Sequence, residues 1–289
     1  MTTQQARSST ARVFLLGVLL ALACSAPLLA AAPADPAHDL KEFRDFFKKR
    51  FPGVAFADYA NGVSAIDADA RAEWQAIEEF PPYELNVQNG RKLFEAPFKN
   101  GAHYASCFDQ GGIGIRQNYP YYDTATGQVK TLEVAINECR ARNGEAALDY
   151  IKGDLADISA YMAYTSRGKP FNIKVPGQAL DAYARGRRFY FSKRGQLNLS
   201  CADCHMRNAG QRLRAEILSP ELGHTTHFPV YRSNPEWGDL GTLHRRYMGC
   251  NSQVRAMPLA PQSESYRDLE FFETYISNGL PVNGPAVRK

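Results

Sequence analysis

Cys201-Ala202-Asp203-Cys204-His205 is the stretch around which the chain is organised. Two thiols three residues apart, with an imidazole directly after the second, are what covalent haem attachment requires. Each thiol adds to one vinyl group, and the adjacent histidine turns under the ring as an axial iron ligand. A CxxC pair also serves zinc sites and redox dithiols. Zinc would need a second pair of ligands at finger-like spacing, and a thioredoxin-type dithiol would follow a strand in a βαβ unit. Neither pattern is present, so the motif predicts one covalent haem c held by Cys201, Cys204 and His205.

The N-terminus is consistent with the compartment in which such a haem is attached. Arg7 and Arg12 precede an apolar run from Val13 to Ala23, and an Ala-rich stretch ends near Ala34. That order predicts a secretory signal peptide over 1–34 and a periplasmic protein, and the run is too short to span a bilayer. Cys24 would leave with the signal; a lipid anchor at Cys24 is the competing reading, on a loose match. No other apolar stretch has membrane length. About 255 residues would remain, enough for one large domain or two ordinary ones. The whole chain carries 34 basic and 30 acidic residues, a formal charge of +4. Without Arg7 and Arg12 the balance is closer still, so charge gives no argument for a nucleic-acid partner.

Three landmarks recur in order along the chain. Gly90-Arg91-Lys92-Leu93-Phe94 is echoed by Gly186-Arg187-Arg188-Phe189-Tyr190, and Thr131-Leu132 before Cys139 by Thr242-Leu243 before Cys250. Asp154-Leu155 with Tyr161-Met162 matches Asp268-Leu269 with Tyr275-Ile276. Offsets of 96, 111 and 114 residues argue a duplicated unit with an insertion. Helical spacing of apolar residues predicts helices over 147–164 and 266–276, stopped by Gly168 and Gly279. The stretches 111–127 and 219–241 read as long loops. Two amphipathic patterns, 40–47 and 70–80, form an N-terminal extension expected to pack on the first unit. The expected fold is therefore all-α: two tandem cytochrome c-like domains with long loops, of which only the second binds haem. The boundaries are 35–172 for the extension with the haemless domain and 173–289 for the haem domain, with 170–176 as the linker.

Three cysteines remain. Cys107 and Cys139 both fall in the haemless unit, at points that the repeat places opposite the haem motif and opposite Cys250. In an exported protein such a pair is expected to close as a disulfide rather than persist as buried thiols. Closing this loop is worth roughly 3 kcal/mol in the chain-entropy model. Cys250 is odd, and stands where a distal axial ligand could be, where a thiolate would lower the haem potential. Met257 before Pro258 is its main competitor, with Met248, His224, His227 and His244 as further candidates. Arg245, Arg246 and Arg255 lie around Cys250 in sequence, and guanidinium matches two oxygens of an oxyanion at once. Alone, such a cluster is usually a solvated face; beside an unpaired cysteine it suggests an anion site.

The run Arg246-Tyr247-Met248-Gly249-Cys250 with Arg255 and Pro258, preceded by the haem motif in a duplicated chain, resembles the SoxA family across essentially the whole mature sequence. The resemblance implies an L-cysteine S-thiosulfotransferase of sulfur oxidation. In that family thiosulfate is joined oxidatively to a cysteine of SoxY, in a SoxYZ carrier complex, and electrons leave through haem. It implies a small haem partner of the SoxX type, giving a heterodimer, and a downstream cytochrome acceptor. Cys250 matches the family's haem-ligating cysteine, found there as a persulfide, and Arg246 its active-site arginine. With one CxxCH, the chain resembles the single-haem type in which a disulfide replaces the first haem. A plain periplasmic electron-transfer cytochrome c, ligated by Met257, is the alternative.

Overall fold

In the computed structural model the described residues are 34–234 and 237–288, together with Thr2. The signal-peptide expectation and Cys24 therefore lie almost wholly outside them. Eight α-helices run in order among the described residues: α1 Pro36–Arg50, α2 Ala68–Glu78, α3 Glu84–Glu95, α4 Leu132–Arg142, α5 Asp154–Tyr164, α6 Leu180–Phe191, α7 Leu243–Gln253 and α8 Glu264–Ile276. None is long and apolar enough to cross a membrane. Local chemistry explains several ends. The Asp35, Asp67 and Thr131 side chains accept from the backbone at the starts of α1, α2 and α4. Lys48, Lys49 and Arg50 close α1, complementing its dipole.

The helical expectation over 147–164 is too long at its start. Asn137 holds Leu148 as an extended segment, donating to its carbonyl at 3.0 Å and accepting from its N–H at 2.8 Å. Gly153, at φ 66°, then turns the chain into α5. The all-α expectation also needs correction, because small sheets form within and beside the two long loops. Strand β1 (Tyr121–Asp123) pairs antiparallel with β2 (Gln128–Lys130), and β3 (Arg212–Leu213) with β4 (Glu216–Ile217). Strand β5 (Val230–Arg232) lies between antiparallel β6 (Asp239–Gly241) and parallel β7 (Ala286–Val287). Strands of two or three residues leave no readable alternation in sequence.

Two helix crossings, α3 on α5 and α6 on α8, build the core. Each is made close by a glycine. A Cβ on Gly90 would stand 1.9 Å from the Asp157 carbonyl oxygen, and one on Gly186 2.0 Å from that of Asp268. The two glycines thus make equivalent contacts, and by those contacts Asp157, not Asp154, stands where Asp268 does. The cysteine landmark and the final-helix landmark then share one offset of 111 residues, while the Gly-Arg landmark keeps its offset of 96. Asp154 misled because it lies one helical turn before Asp157, on the same face.

Where the halves meet, they bond reciprocally. Gly168 N–H donates to Val282 O and Gly279 N–H to Phe171 O, both at 2.9 Å. Phe171 N–H donates to Leu280 O and Val282 N–H to Lys169 O, again at 2.9 Å, around a Pro170–Pro281 bridge. Applying the 111-residue offset exchanges each bond with its mate, so local two-fold symmetry relates the segments.

The N-terminal extension packs elsewhere than expected. Phe43 of α1 meets Tyr190 of α6 and Phe272 of α8, each at 5.9 Å between ring centroids. Buried Asp39 accepts from Tyr183 Oη at 3.0 Å and from Arg187 Nε at 2.9 Å. The aromatic face and buried carboxylate of α1 thus find their complements on α6 and α8, in the second half.

Cys107 and Cys139 form a disulfide, with Cα atoms 5.7 Å apart. Cys139 lies on α4 among Phe94, Tyr104, Ile136 and Leu155, a compact apolar cluster of the first half. Replacing both cysteines with serine is expected to lower unfolding free energy by about 3 kcal/mol. Urea denaturation measures this, and unreduced peptide mapping should find the two cysteine peptides linked.

Candidate haem and sulfur site

Ser200, Asp203 and their neighbours fix the attachment turn. The Asp203 carboxylate accepts from the Ser200 N–H and hydroxyl, both at 2.8 Å, while the Asp203 N–H donates to Ser200 Oγ at 3.1 Å. Cys201 and Cys204, both half-buried and free of disulfides, project from this turn, which continues as a π-helix from Asp203 to Arg207. His205 Nδ1 lies 3.0 Å from the Ser219 carbonyl oxygen. A carbonyl can only accept, so Nδ1 carries the proton and Nε2 keeps its lone pair. Burial pushes His205 down to about 4, so the imidazole is neutral at ordinary pH. Two free thiols at haem spacing and one oriented imidazole are the donor set a covalent haem needs, and Cys201 and Met206 border a large apolar cluster. These residues fit the group.

Helix α7 carries the next candidates. Its cap, Thr242, sends its hydroxyl to Tyr150 O at 2.8 Å, which ties the start of the helix to the first half. Cys250 is half-buried, one turn after half-buried Arg246. Burial raises the Cys204 thiol first; Cys250 raises it further and Arg246 opposes. Arg246 also bears on His205. Cys204, His205, Arg246 and Cys250 therefore share one electrostatic neighbourhood.

The other candidates separate from it. Arg245, adjacent to Arg246, turns about the helix and donates to Trp237 O at 2.7 Å, its Cζ 4.4 Å from the Trp237 ring centroid. Neighbouring helix positions point some 100° apart, and the indole stacks on the Arg245 side chain. Arg255 is exposed beyond α7, and its carbonyl accepts from Gln196 N. Met257 is 87% exposed, where it cannot serve as the buried axial ligand that the electron-carrier alternative needs. His244 is fixed elsewhere: Nδ1 accepts from Gln262 N at 2.9 Å, and Nε2 lies 3.1 Å from Glu270. Met248 borders the apolar cluster, and His227 Nδ1 lies 3.0 Å from Gly223 O. Buried His224 packs on His205 itself, ring centroids 4.4 Å apart.

Sequence reading missed the buried acids behind this site. Tyr247 donates a short hydrogen bond to Glu273 of α8. Burial pushes Glu273 up to about 8; the tyrosine bond lowers it and Glu270 raises it. Glu221, whose N–H donates to His205 O, is likewise pushed up by burial and by Glu273. Nothing in a linear sequence distinguishes these glutamates from surface ones. Between pH 4.5 and about 8 the folded protein keeps a proton on Glu273 that the unfolded chain has lost. Stability contributed by this group falls as pH rises through that window. Glu273→Gln should therefore gain stability relative to the parent as pH increases from 5 to 8, measured by urea denaturation at several pH values.

The fold and this site define a c-type cytochrome with a cysteine and an arginine placed beside the haem attachment. A family profile for the SoxA/TsdA cytochrome c domain matches residues 89–171, the half without the CxxCH motif. The L-cysteine S-thiosulfotransferase subunit SoxA of Chlorobaculum tepidum is 55% identical over 274 residues, covering 91% of this chain and 95% of that protein. The Allochromatium vinosum protein of that name is 49% identical over 279 residues, covering 96% and 98%. The crystal structure of SoxXA from P. pantotrophus superposes with a TM-score of 0.69 at 30% identity, covering 75% of this chain and 84% of that one. The chain belongs to the SoxA family.

Proposed function

We propose that this chain is the catalytic haem subunit of an L-cysteine S-thiosulfotransferase acting in the periplasm. It would attach thiosulfate oxidatively to a cysteine of SoxY within a SoxYZ carrier. The observation that carries the reading is the placement of Cys250 and Arg246 one turn apart on α7, within electrostatic reach of Cys204 and His205. Cys201 and Cys204 would hold the haem by thioethers, and His205 and Cys250 would hold its iron. The bound haem supplies one-electron oxidation. Arg246 holds the sulfonate oxygens of thiosulfate through its donor fork while the outer sulfur lies at the Cys250 sulfur. With two electrons removed, the outer sulfur bonds to the Cys250 sulfur; the carrier thiolate then attacks that outer sulfur, takes the S–SO3 group and releases the Cys250 thiolate.

Forming a sulfur–sulfur bond between thiosulfate and a thiolate releases two electrons, and one haem accepts one at a time. A SoxX-type haem subunit, as the heterodimeric partner, and a downstream cytochrome take the balance. One haem c per chain is our count, since one CxxCH is present. Domain boundaries of 35–172 and 173–289, with haem only in the second, follow from the repeat, and the disulfide stands in the first half where a haem would otherwise be attached. A plain electron-carrying cytochrome is disfavoured by the exposure of Met257.

The test incubates the purified haem-loaded chain and its small haem partner with thiosulfate, a SoxY-type carrier and an electron acceptor, and follows carrier mass. Arg246→Lys keeps the charge and loses the fork, so transfer should fall ten- to a hundredfold, about 1.4 to 2.8 kcal/mol of transition-state stabilisation. The ferric haem spectrum should not change. No thiosulfate adduct on the carrier with the parent protein would refute the reading.

A further inference from the structure

Arg232, on β5, is 7% exposed, and its surroundings are unusual for a buried cation. Its Nη2 donates to Glu216 Oε1 at 2.7 Å, and its Nε has no hydrogen-bond partner among the described residues. Its Cζ stands 5.9 Å from the Trp237 ring centroid, the same ring on which Arg245 of α7 lies. Strand β5 pairs with β6, which ends at Gly241 and leads directly into α7. Burial lowers Arg232 first, then the Arg246 charge, whereas Glu216 and Cys250 oppose. Strand β5 and the start of α7 thus bring Arg232 within electrostatic reach of Arg246 and Cys250. Two guanidinium groups within electrostatic reach and partly shielded from water repel unless an anion offsets their charge.

Glu216 is a poor permanent partner. Its side chain is 52% exposed, and it stands on a hairpin with strands of only two residues. The hairpin turn includes Arg214 at φ 58°. An ion pair with one end in water contributes little, and its carboxylate returns to solvent at small cost. The buried arginine gains more from a ligand that also reaches its unpaired Nε and the second guanidinium. A doubly charged tetrahedral oxyanion such as thiosulfate has the charge and the oxygens for both.

We propose that Arg232 is a second anion-binding arginine of the sulfur site and that Glu216 is its removable plug, displaced when thiosulfate enters between Arg232 and Arg246. This rests on the function proposed above and extends it to a substrate gate. The β3–β4 hairpin then acts as a doorstop rather than as part of the core.

Calorimetric titration of the haem-loaded chain with sodium thiosulfate, and separately with sulfate, tests the gate. Glu216→Gln should bind thiosulfate about tenfold more tightly than the parent, and Arg232→Gln at least tenfold more weakly. The tightening should vanish when Glu216→Gln is placed in the Arg232→Gln background. Affinity in Glu216→Gln equal to or below the parent's overturns the proposal, as does a parent chain that binds neither anion. Because Glu216 is half in solvent, its variant decides the question even if Arg232→Gln does not fold. A chain that shows the gate but transfers no sulfur keeps this proposal and loses the proposed function; one that transfers sulfur with no Glu216 effect does the reverse.

Discussion

Cys250→Ser is expected to abolish thiosulfate transfer and to change the ferric haem spectrum together. In the proposed function the Cys250 sulfur is the one that reacts, so its loss removes the step itself, and a decline on the order of a thousandfold or more is the scale to look for. A serine hydroxyl is a weak iron ligand at neutral pH, so the low-spin signature should go with it. Cys250→Met separates the two roles: a thioether can restore a low-spin haem but cannot form a sulfur–sulfur bond. Recovery of the spectrum without recovery of transfer would assign the chemistry to the thiolate. Normal transfer by Cys250→Ser would place the chemistry elsewhere. Electron paramagnetic resonance and carrier mass, measured on the same preparations, give both readouts.

The second large effect is expected at the glycines of the helix crossings. Gly186→Ala puts a methyl group 2.0 Å from the Asp268 carbonyl oxygen, and Gly90→Ala puts one 1.9 Å from that of Asp157. Both contacts are to backbone, which cannot rotate aside, so the helices must separate. Overpacking of this kind costs about 1 to 3 kcal/mol, occasionally more. Equal chemistry should have unequal consequences. Helices α6 and α8 carry Tyr190 and Glu273, whose environment includes Cys201, so Gly186→Ala should alter the haem spectrum as well as stability. Gly90→Ala, in the disulfide half, should lower stability alone. Thermal melts and absorption spectra of the two variants distinguish these outcomes; a spectrum unchanged in Gly186→Ala would show that the haem seat does not depend on that crossing.

What was legible in sequence was what a spacing rule encodes. The CxxCH motif, the cysteine pair at 107 and 139 and the recurring Gly-Arg pattern each rest on residues whose separation carries the information. The register of the final helix was legible only to within a turn, because Asp-Leu at 154 and Asp at 157 occupy the same helical face. The destination of α1 was not legible, because an aromatic face states what it needs to bury against but not which half supplies it. The arginines show the same limit. Arg245 and Arg246 are adjacent and chemically alike, told apart in sequence only by the resemblance that makes Arg246 the active-site arginine; the structure adds that Trp237 holds Arg245. Arg232 had no motif at all, and became visible only when a strand brought it beside α7.

The reciprocal bonding around Pro170 and Pro281 bears on how the chain comes to be folded. It joins segments separated by more than a hundred residues, so its loop-closure entropy is met only after both hemispheres have largely condensed. Synthesis reaches the first partner long before the second, and residues 168–171 must wait with their hydrogen bonds directed to water. Such a molecule resembles a dimer whose protomers were fused end to end: each half caps the other, and cooperativity is expected to span both. Losing one half would then leave the other with an open edge rather than a smaller finished protein.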